Sequence, residues 1–485
     1  MANTNPPDLR GIAYEAMRRY GFEADFPAPV MAEAAALSAV TSLDGRRDMR
    51  GLAWSSIDNE SSLDLDQLEH CEPGEDGRII VRVAIADVDA LVAVGCETDQ
   101  HALRNTTSVY AGIRLFPMLP DRLSEDLTSL KEGADRPALV VEFSVLPDGT
   151  VVPSSIYKAL VRNKARLVYE EIGGWLEGRA PLPEAAGRVE GLQEQLRLQD
   201  EAARRLRSFR LAAGALELET IEPRLVVLQG EVTDLCLTLK TRASYLIENF
   251  MIAANRTIAC VLSQAGIPTM ERVVCAPKDW EGIRREAGRY NEQLPAEPDS
   301  RALSQFLFRR KLIDPRAFPE VSLAVVKLLG PGEYAVLGPG APSIGHFGLA
   351  VSDYTHATAP NRRYVDIIIQ RQLKAMLAGE QAPYTLERLK ERAAWCTERE
   401  KEAKKVERFM RKAASASVLV KKLGQTFDAI VTGASGKGCY VRIFDPPVEG
   451  RVVRGEAGLS VGMRVRVRLD AVDPWEGYID FVKVV

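Results

Sequence analysis

Between residues 46 and 160 apolar positions come in short runs broken by polar clusters, a pattern that predicts strands. Ile79 to Val88 is a continuous apolar run and predicts a strand buried on both faces. Gly51 to Ile57 is a second such run, so Ile57 to Gln67 between them predicts a loop joining two strands. Helical spacing dominates elsewhere. Asp8 is placed to cap a helix through Arg19 that Gly21 ends, and Pro27 and Pro29 precede an alanine-rich helix near Val30 to Val40. Longer charged helices are predicted over Glu184 to Leu211, Ala243 to Leu262 and Tyr384 to Leu423, with a strand pair at Gly214 to Leu218 and Arg224 to Val227.

After Gly424 the texture changes to short alternating strands with glycine turns. Gln425–Val431, Gly438–Phe444, Val452–Val453, Arg464–Leu469 and Tyr478–Val484 make five strands, the number an OB-fold barrel requires. Phe427, Tyr440 and Phe444 interleave there with Arg442, Arg464, Arg466 and Arg468, a mixture suited to stacking bases and neutralising phosphates. The expected class is therefore α+β and multidomain: a helical segment at 1–45, a mixed domain of sheets and helices at 46–423, and a barrel at 424–485. The two N-terminal helices suit either a helix-turn-helix module or an arm packed on the next domain, and the scarcity of basic residues after Ala28 favours the arm.

Composition narrows the class further. A chain of 485 residues with 46% hydrophobic and 27% charged residues is ordinary for a soluble globular protein. No apolar run reaches the length of a membrane span, and Met1 to Pro7 lacks signal-peptide architecture. The seven cysteines form no Cys-x-x-Cys pair and the four histidines are dispersed, which excludes the usual zinc sets and fits a reducing cytoplasm. A net charge of −4 does not advertise a nucleic-acid binder, but phosphate affinity depends on local basic patches.

The chemistry concentrates in the 57–67 loop. Asp64 and Asp66 are two residues apart, which in an extended segment puts both carboxylates on one face, and Asp58 stands at the loop's mouth. Three converging carboxylates repel unless a cation lies between them, and a hard ion such as Mg²⁺ or Mn²⁺ suits oxygen ligands. The same residues equally suit a solvated acidic turn. A calcium loop of the EF-hand kind is disfavoured, because Leu63 falls where that loop needs glycine.

Arg47–Leu52, Ser56–Asp58 and Leu63–Asp66 resemble the catalytic signature of the ribonuclease II/ribonuclease R (RNB) exoribonuclease family. Further blocks follow in that family's order: Thr106–Tyr110 with Phe116–Pro120, Asn163–Glu171, Ile247–Asn255 and His346–Asp366. The resemblance implies an RNB catalytic domain closed by a ribosomal S-one-type barrel, acting as a hydrolytic, Mg²⁺- or Mn²⁺-dependent 3′→5′ exoribonuclease. It would release nucleoside 5′-monophosphates from single-stranded RNA 3′ ends, as a cytoplasmic monomer in RNA turnover or processing. Asp58, Asp64, Asp66 and Gln67 would then hold metal, and Arg362 would contact the scissile phosphate. Tyr110 would stack the 3′ base and Glu248 would read the ribose, with Arg363, Tyr364, Glu407, Arg408, Phe427 and Tyr440 along the RNA. Asp87 and Asp366 are expected to serve structure rather than metal.

Several positions depart from the family. Gln67 replaces a second aspartate, Leu218 stands loosely where a clamp phenylalanine occurs, and Ala357, Ala359 and Asn361 replace the commoner Phe, Ser and Ile. Gln67 and Leu218 favour the alternative of a non-catalytic RNA-binding protein that retains the fold. A DNA-binding regulator acting through the N-terminal helices is a third alternative, against which the Glu248 helix argues.

Overall fold

The computed structural model describes residues 8–219, 223–228, 231–237, 240–435 and 438–484, with backbone alone over 223–237 and at 435. The stretch Met1–Pro7, considered above for signal-peptide character, lies outside the described residues.

From Arg47 the chain lays down β1 (Arg47–Asp48), β2 (Ser55–Asp58), β3 (Gln67–Pro73), β4 (Ile79–Ala86), β5 (Val109–Tyr110), β6 (Leu115–Phe116), β7 (Asp135–Val145), β8 (Val151–Arg162) and β9 (Ala165–Val168). Seven of these form one mixed sheet in the order β1-β8-β7-β4-β3-β2-β9, while β5 and β6 pair as a separate hairpin. The apolar run of β4 lies at the sheet's centre, between β3 and β7. Its one charged residue, Arg82, is matched by Glu72 at 2.7 Å and Glu142 at 2.6 Å. The loop from Asn59 to Asp66 joins two adjacent antiparallel strands, but its partner after the loop is β3 rather than the apolar run of β4, because the polar residues Gln67, Glu69, His70 and Glu72 hid a strand there.

Helices cover this sheet and extend from it. In order they are α1 (Leu9–Arg19), α2 (Ala28–Ala36), α3 (Glu97–Asn105), α4 (Tyr169–Leu176), α5 (Glu184–Gly187), α6 (Leu192–Ala213), α7 (Arg242–Gln264), α8 (Trp280–Gly288), α9 (Ser300–Ile313), α10 (Phe318–Leu329), α11 (Tyr364–Ala378) and α12 (Leu386–Leu419). Asp8 caps α1, as its position predicts. The long helix expected from Glu184 is instead broken into α5 and α6, because Gly191 takes a left-handed φ of 74° between them. Gly214–Leu218 is not a strand. Its backbone meets α9 and the Gly348 turn, through Ser304 Oγ donating to the Ala215 carbonyl and Leu216 N–H donating to the Gly348 carbonyl. The strand over Arg224–Val227 is present as β10 (Pro223–Leu228) and pairs with β11 (Glu231–Leu237) instead. A further pair, β12 (Thr269–Val273) and β13 (Glu333–Leu337), is antiparallel, and its Tyr334 lines the cleft described below.

The C-terminal strands β14 (Thr426–Ser435), β15 (Gly438–Ile443), β16 (Glu449–Arg454), β17 (Arg464–Asp473) and β18 (Tyr478–Lys483) close into a barrel in the order β14-β15-β16-β18-β17. Val431, Val441, Val452, Val467 and Phe481 fill it, and Ala416 and Leu419 at the end of α12 join that core. Gly450 is required by packing, since a Cβ there would fall 2.5 Å from the Phe481 ring. At the other end of the chain α1 packs as an arm. Its Ile12 and Met17 lie with Val109 and Phe116 of the hairpin and with Val406 and Met410 of α12.

Candidate active site

Asp58 is the last residue of β2, and its carboxylate accepts from Ser62 Oγ at 2.8 Å and from the Asn59 amide at 2.7 Å. The loop beyond is pinned from outside. Ser129 Oγ donates to the Leu63 carbonyl at 2.6 Å and accepts from the Leu65 amide, while Arg166 donates to the Ser62 carbonyl at 2.9 Å. The loop thus carries Asp64 half-buried and Asp66 fully buried at the foot of β3.

Asp66 meets a segment from far along the chain. It accepts from the Asn361 amide at 3.0 Å and forms an ion pair with Arg362 Nε at 3.3 Å. That segment is anchored by Asn255, whose Oδ1 accepts the Ala357 amide, and by Asp366, which accepts the Ala359 amide. Arg362 in turn holds the tyrosine strand: its carbonyl accepts from the Ser108 amide at 3.0 Å, two residues before Tyr110. Tyr110 is 46% exposed, and its amide donates to Glu407 of α12 at 3.3 Å. Tyr110, Arg362, Arg363 and Glu407 line one cleft together with Tyr334, His356, Glu400 and Lys404.

Burial dominates the electrostatics of this cleft. It raises Asp64 and Asp66 against the pull of Arg362, with Asp58 adding repulsion at Asp64 and Asp64 adding it at Asp66, so that Asp66 is pushed up to about 7. Crowding by protein opposes charge on Arg362, but Asp66, Tyr110, Asp58 and Asp64 together outweigh it and raise its pKa. His356 is held neutral by burial and by Arg363 and Arg272 beside it, and its Nδ1 lies 2.8 Å from the Tyr334 hydroxyl. His356 lies inside the His346–Asp366 block, yet a histidine in a sequence block gives no sign of facing a cleft, and it was not singled out.

The remaining positions separate. Arg363 lines the cleft but is paired with Asp366 at 2.8 and 2.9 Å, which confirms a structural part for that aspartate. Asp87 likewise pairs with Lys374 at 3.0 Å. Tyr364 corrects the expectation of an RNA contact. It is 1% exposed, and its hydroxyl donates to Asp99 inside the core, because it opens α11 on the face turned from the cleft. Phe427 is half-buried, its ring 6.5 Å from the Phe481 ring at the edge of the barrel core. Tyr440 is half-buried beside Gly433. Arg408 is exposed on α12. Glu248 stands on α7, bonded to Lys240 at 2.6 Å among Arg207, Arg210 and Tyr245. Leu218 packs against the cluster formed by α8, α9 and α10. The sequence did not flag Trp475 and Tyr478 at the β17–β18 turn, which are 56% and 61% exposed.

Among the described residues, no three His, Cys, Asp or Glu side chains are gathered closely enough to close a metal shell as they stand. The donor chemistry nevertheless fits a hard divalent cation. Asp66 is a fully buried carboxylate and Asp64 a half-buried one, and Arg362 is the cation that acts on both.

Residues 46–379 match the RNB domain and residues 425–484 match the RNase II-type exonuclease C-terminal S1 domain. The chain belongs to the RNB-domain family. Among curated relatives it is similar to Ribonuclease R of Thermotoga maritima, at 32% identity over 88% of this chain and 61% of the relative. Ribonuclease R of Aquifex aeolicus is 30% identical over 98% of this chain and 70% of the relative. The chain therefore spans about three-fifths of the Thermotoga protein's length. Its fold matches that of Mycoplasma genitalium RNase R in complex with ribose methylated single-stranded RNA, with a TM-score of 0.89 at 23% identity over 99% of this chain and 79% of that one.

Proposed function

We propose that the chain is a hydrolytic 3′→5′ exoribonuclease that takes single-stranded RNA 3′ ends and releases nucleoside 5′-monophosphates with Mg²⁺ or Mn²⁺. The observation that carries it is the ion pair joining buried Asp66 to Arg362, which lines a cleft together with half-exposed Tyr110. Asp58, Asp64, Asp66 and the Gln67 carbonyl oxygen would hold the metal. When bound, a divalent cation supplies a water of lowered pKa and positive charge for the leaving 3′-oxygen.

The chain's own residues do the rest. Arg362 offers a planar, permanently charged fork to the phosphate on which charge grows. Tyr110 gives a face on which any base stacks, and Glu407 fixes that strand through the Tyr110 amide. Glu248 accepts from a ribose hydroxyl once it leaves Lys240, a contact that separates RNA from DNA. Residues 46–423 form the catalytic part, 424–485 the RNA-binding barrel and 1–45 a packing arm, and the protein acts as a cytoplasmic monomer. Among the described residues no helix is long and apolar enough to cross a membrane.

The test uses 5′-labelled single-stranded RNA with Mg²⁺, Mn²⁺ or chelator, beside Asp66→Asn. A metal-dependent ladder shortening from the 3′ end, absent in the variant, is expected. RNA bound but intact in every metal would replace this function with that of an RNA-binding protein, which Gln67 favours because an amide brings no charge. Gln67→Asp is expected to lower the metal concentration needed for half-maximal cleavage, and an unchanged requirement would remove Gln67 from the metal site.

A further inference from the structure

The segment that brings Arg362 to Asp66 carries His356 six residues earlier. Its backbone is pinned on both sides. Thr355 Oγ1 donates to the Met270 carbonyl at 2.6 Å, and the Ala357 amide donates to Asn255 Oδ1 at 2.8 Å. The imidazole meets the Tyr334 and Tyr354 rings edge to face, with centroids 5.6 and 5.8 Å away. Tyr334, bonded to His356 Nδ1, is itself fixed on β13, where its amide donates to Thr397 Oγ1 of α12 at 2.9 Å. The other three histidines are taken up inside the fold: His70 meets Gln195, His101 meets Glu23, and His346 accepts from the Leu349 amide.

The pair of His356 and Tyr334 holds one more hydrogen than its bond uses. Burial keeps the Tyr334 hydroxyl protonated, and His356 Nδ1 is its one partner among the described residues. A buried hydroxyl hydrogen needs an acceptor, so O–H donates to Nδ1 and the neutral imidazole carries its proton on Nε2. Nε2 has no partner among the described residues and is not enclosed by protein, so it opens onto the cleft that His356 lines. Arg363, Arg272 and Lys404 act on the ring, all of them cations. The nearby carboxylates are bonded to those cations and not to His356, Asp366 to Arg363 and Glu400 to Arg272 and Lys404. An N–H donor in such a field takes an anionic oxygen, and on a nucleic-acid strand that oxygen belongs to phosphate.

We propose that His356 donates from Nε2 to a backbone phosphate of RNA lying in this cleft, with Tyr334 setting the tautomer that makes the donor available. The contact adds no charge of its own. It orients the strand beside Arg362 without releasing a counterion, as a lysine or arginine contact would. The inference rests on the proposed reading of the cleft as the seat of single-stranded RNA, and it adds His356 and, behind it, Tyr334 to the residues that hold the substrate.

The test is binding of a fluorescein-labelled single-stranded oligoribonucleotide to the full chain in chelator, read by anisotropy at about 50 and about 200 mM salt, with cleavage in Mg²⁺ measured separately. His356→Phe keeps a ring and removes the donor, and it is expected to weaken binding about tenfold, by the same factor at both salt concentrations. His356→Gln, whose amide donates from near the place of Nε2, is expected to retain most of the affinity. Tyr334→Phe is expected to lose part of it, and to add nothing on top of His356→Phe. His356→Ala replaces the phenylalanine variant if that one does not fold, with the same loss expected. Wild-type affinity in the donor-less variant, or a loss that shrinks at the higher salt, overturns this inference and, with RNA still cleaved, leaves the exonuclease standing. A glutamine variant as weak as the phenylalanine one also overturns it, since shape rather than the donor would then matter. The expected losses with RNA that no metal cleaves uphold the inference and remove the exonuclease. No RNA binding by wild type overturns both.

Discussion

Arg362 is tied to Asp66 through Nε, half-exposed at the cleft, with its guanidinium also beside the Tyr110 hydroxyl. Lysine at this place keeps the charge and loses the fork, so Arg362→Lys is expected to lower kcat about 10²-fold with a smaller change in KM, measured in single-turnover cleavage. A second residue tests the electrostatics away from the site. Burial raises Glu271 to about 7, against the Ser343 hydroxyl that donates to it at 2.8 Å. The folded state then holds this proton longer than the unfolded one does. Its contribution favours folding below about pH 4.5 and is lost as pH rises to about 7. Glu271→Gln is expected to melt with wild type at pH 4.5 and roughly 1–3 °C above it at pH 8. An equal difference at both values would remove Glu271 as the cause. At this scale the sequence showed the carboxylates well, because Asp58, Asp64 and Asp66 are local and their spacing carries the chemistry. It showed Arg362 only through the block around it. Tyr364 was misread because adjacency to Arg362 says nothing about which way the first side chain of α11 points.

Elements were legible where periodicity was strong and hidden where only long-range packing decides. Five alternating segments announced the barrel, and they close as expected. Which aromatics face outward did not follow, since alternation alone does not separate the barrel's core edge from its surface. Phe427 supports the core beside Phe481, whereas Trp475 and Tyr478 project from the turn next to α12, where Gly477 sits against Lys412. Arg464, Arg466 and Arg468 are exposed on β17 of the same hairpin. Single-stranded RNA leaving the cleft would therefore meet this hairpin. Tyr478→Ala is expected to weaken binding of a single-stranded oligonucleotide by about 1–3 kcal/mol, a loss read by fluorescence anisotropy, with the melting temperature held. Phe427→Ala is expected to do the reverse, lowering stability and sparing affinity. If Phe427→Ala weakens binding and Tyr478→Ala does not, the face has been assigned to the wrong side of β14.

At the scale of the whole molecule, α1 joins parts that the sequence holds nearly 400 residues apart. Arg399 of α12 lies 3.7 Å over the Phe22 ring and donates to the Tyr20 and Gly21 carbonyls at 3.1 and 2.9 Å. Ile12 and Met17 pack with the β5–β6 hairpin that carries Tyr110 and with the helix that carries Glu407. No local pattern foretells such a contact, although the shortage of basic residues after Ala28 pointed towards an arm. The consequence is that α1 packs against the Tyr110–Glu407 edge of the cleft. Met17→Ala opens a cavity in that cluster and is expected to cost about 2–5 kcal/mol. Because the loosened edge is the one that would stack the terminal base, KM for single-stranded RNA should rise several-fold while kcat stays close to wild type. Melting curves and steady-state cleavage of the same preparations separate the cases. A lower melting temperature with unchanged KM would leave α1 a packing element with no hold on the cleft. A lower kcat at constant KM would mean that the disturbance reaches Arg362 through the Ser108 amide instead.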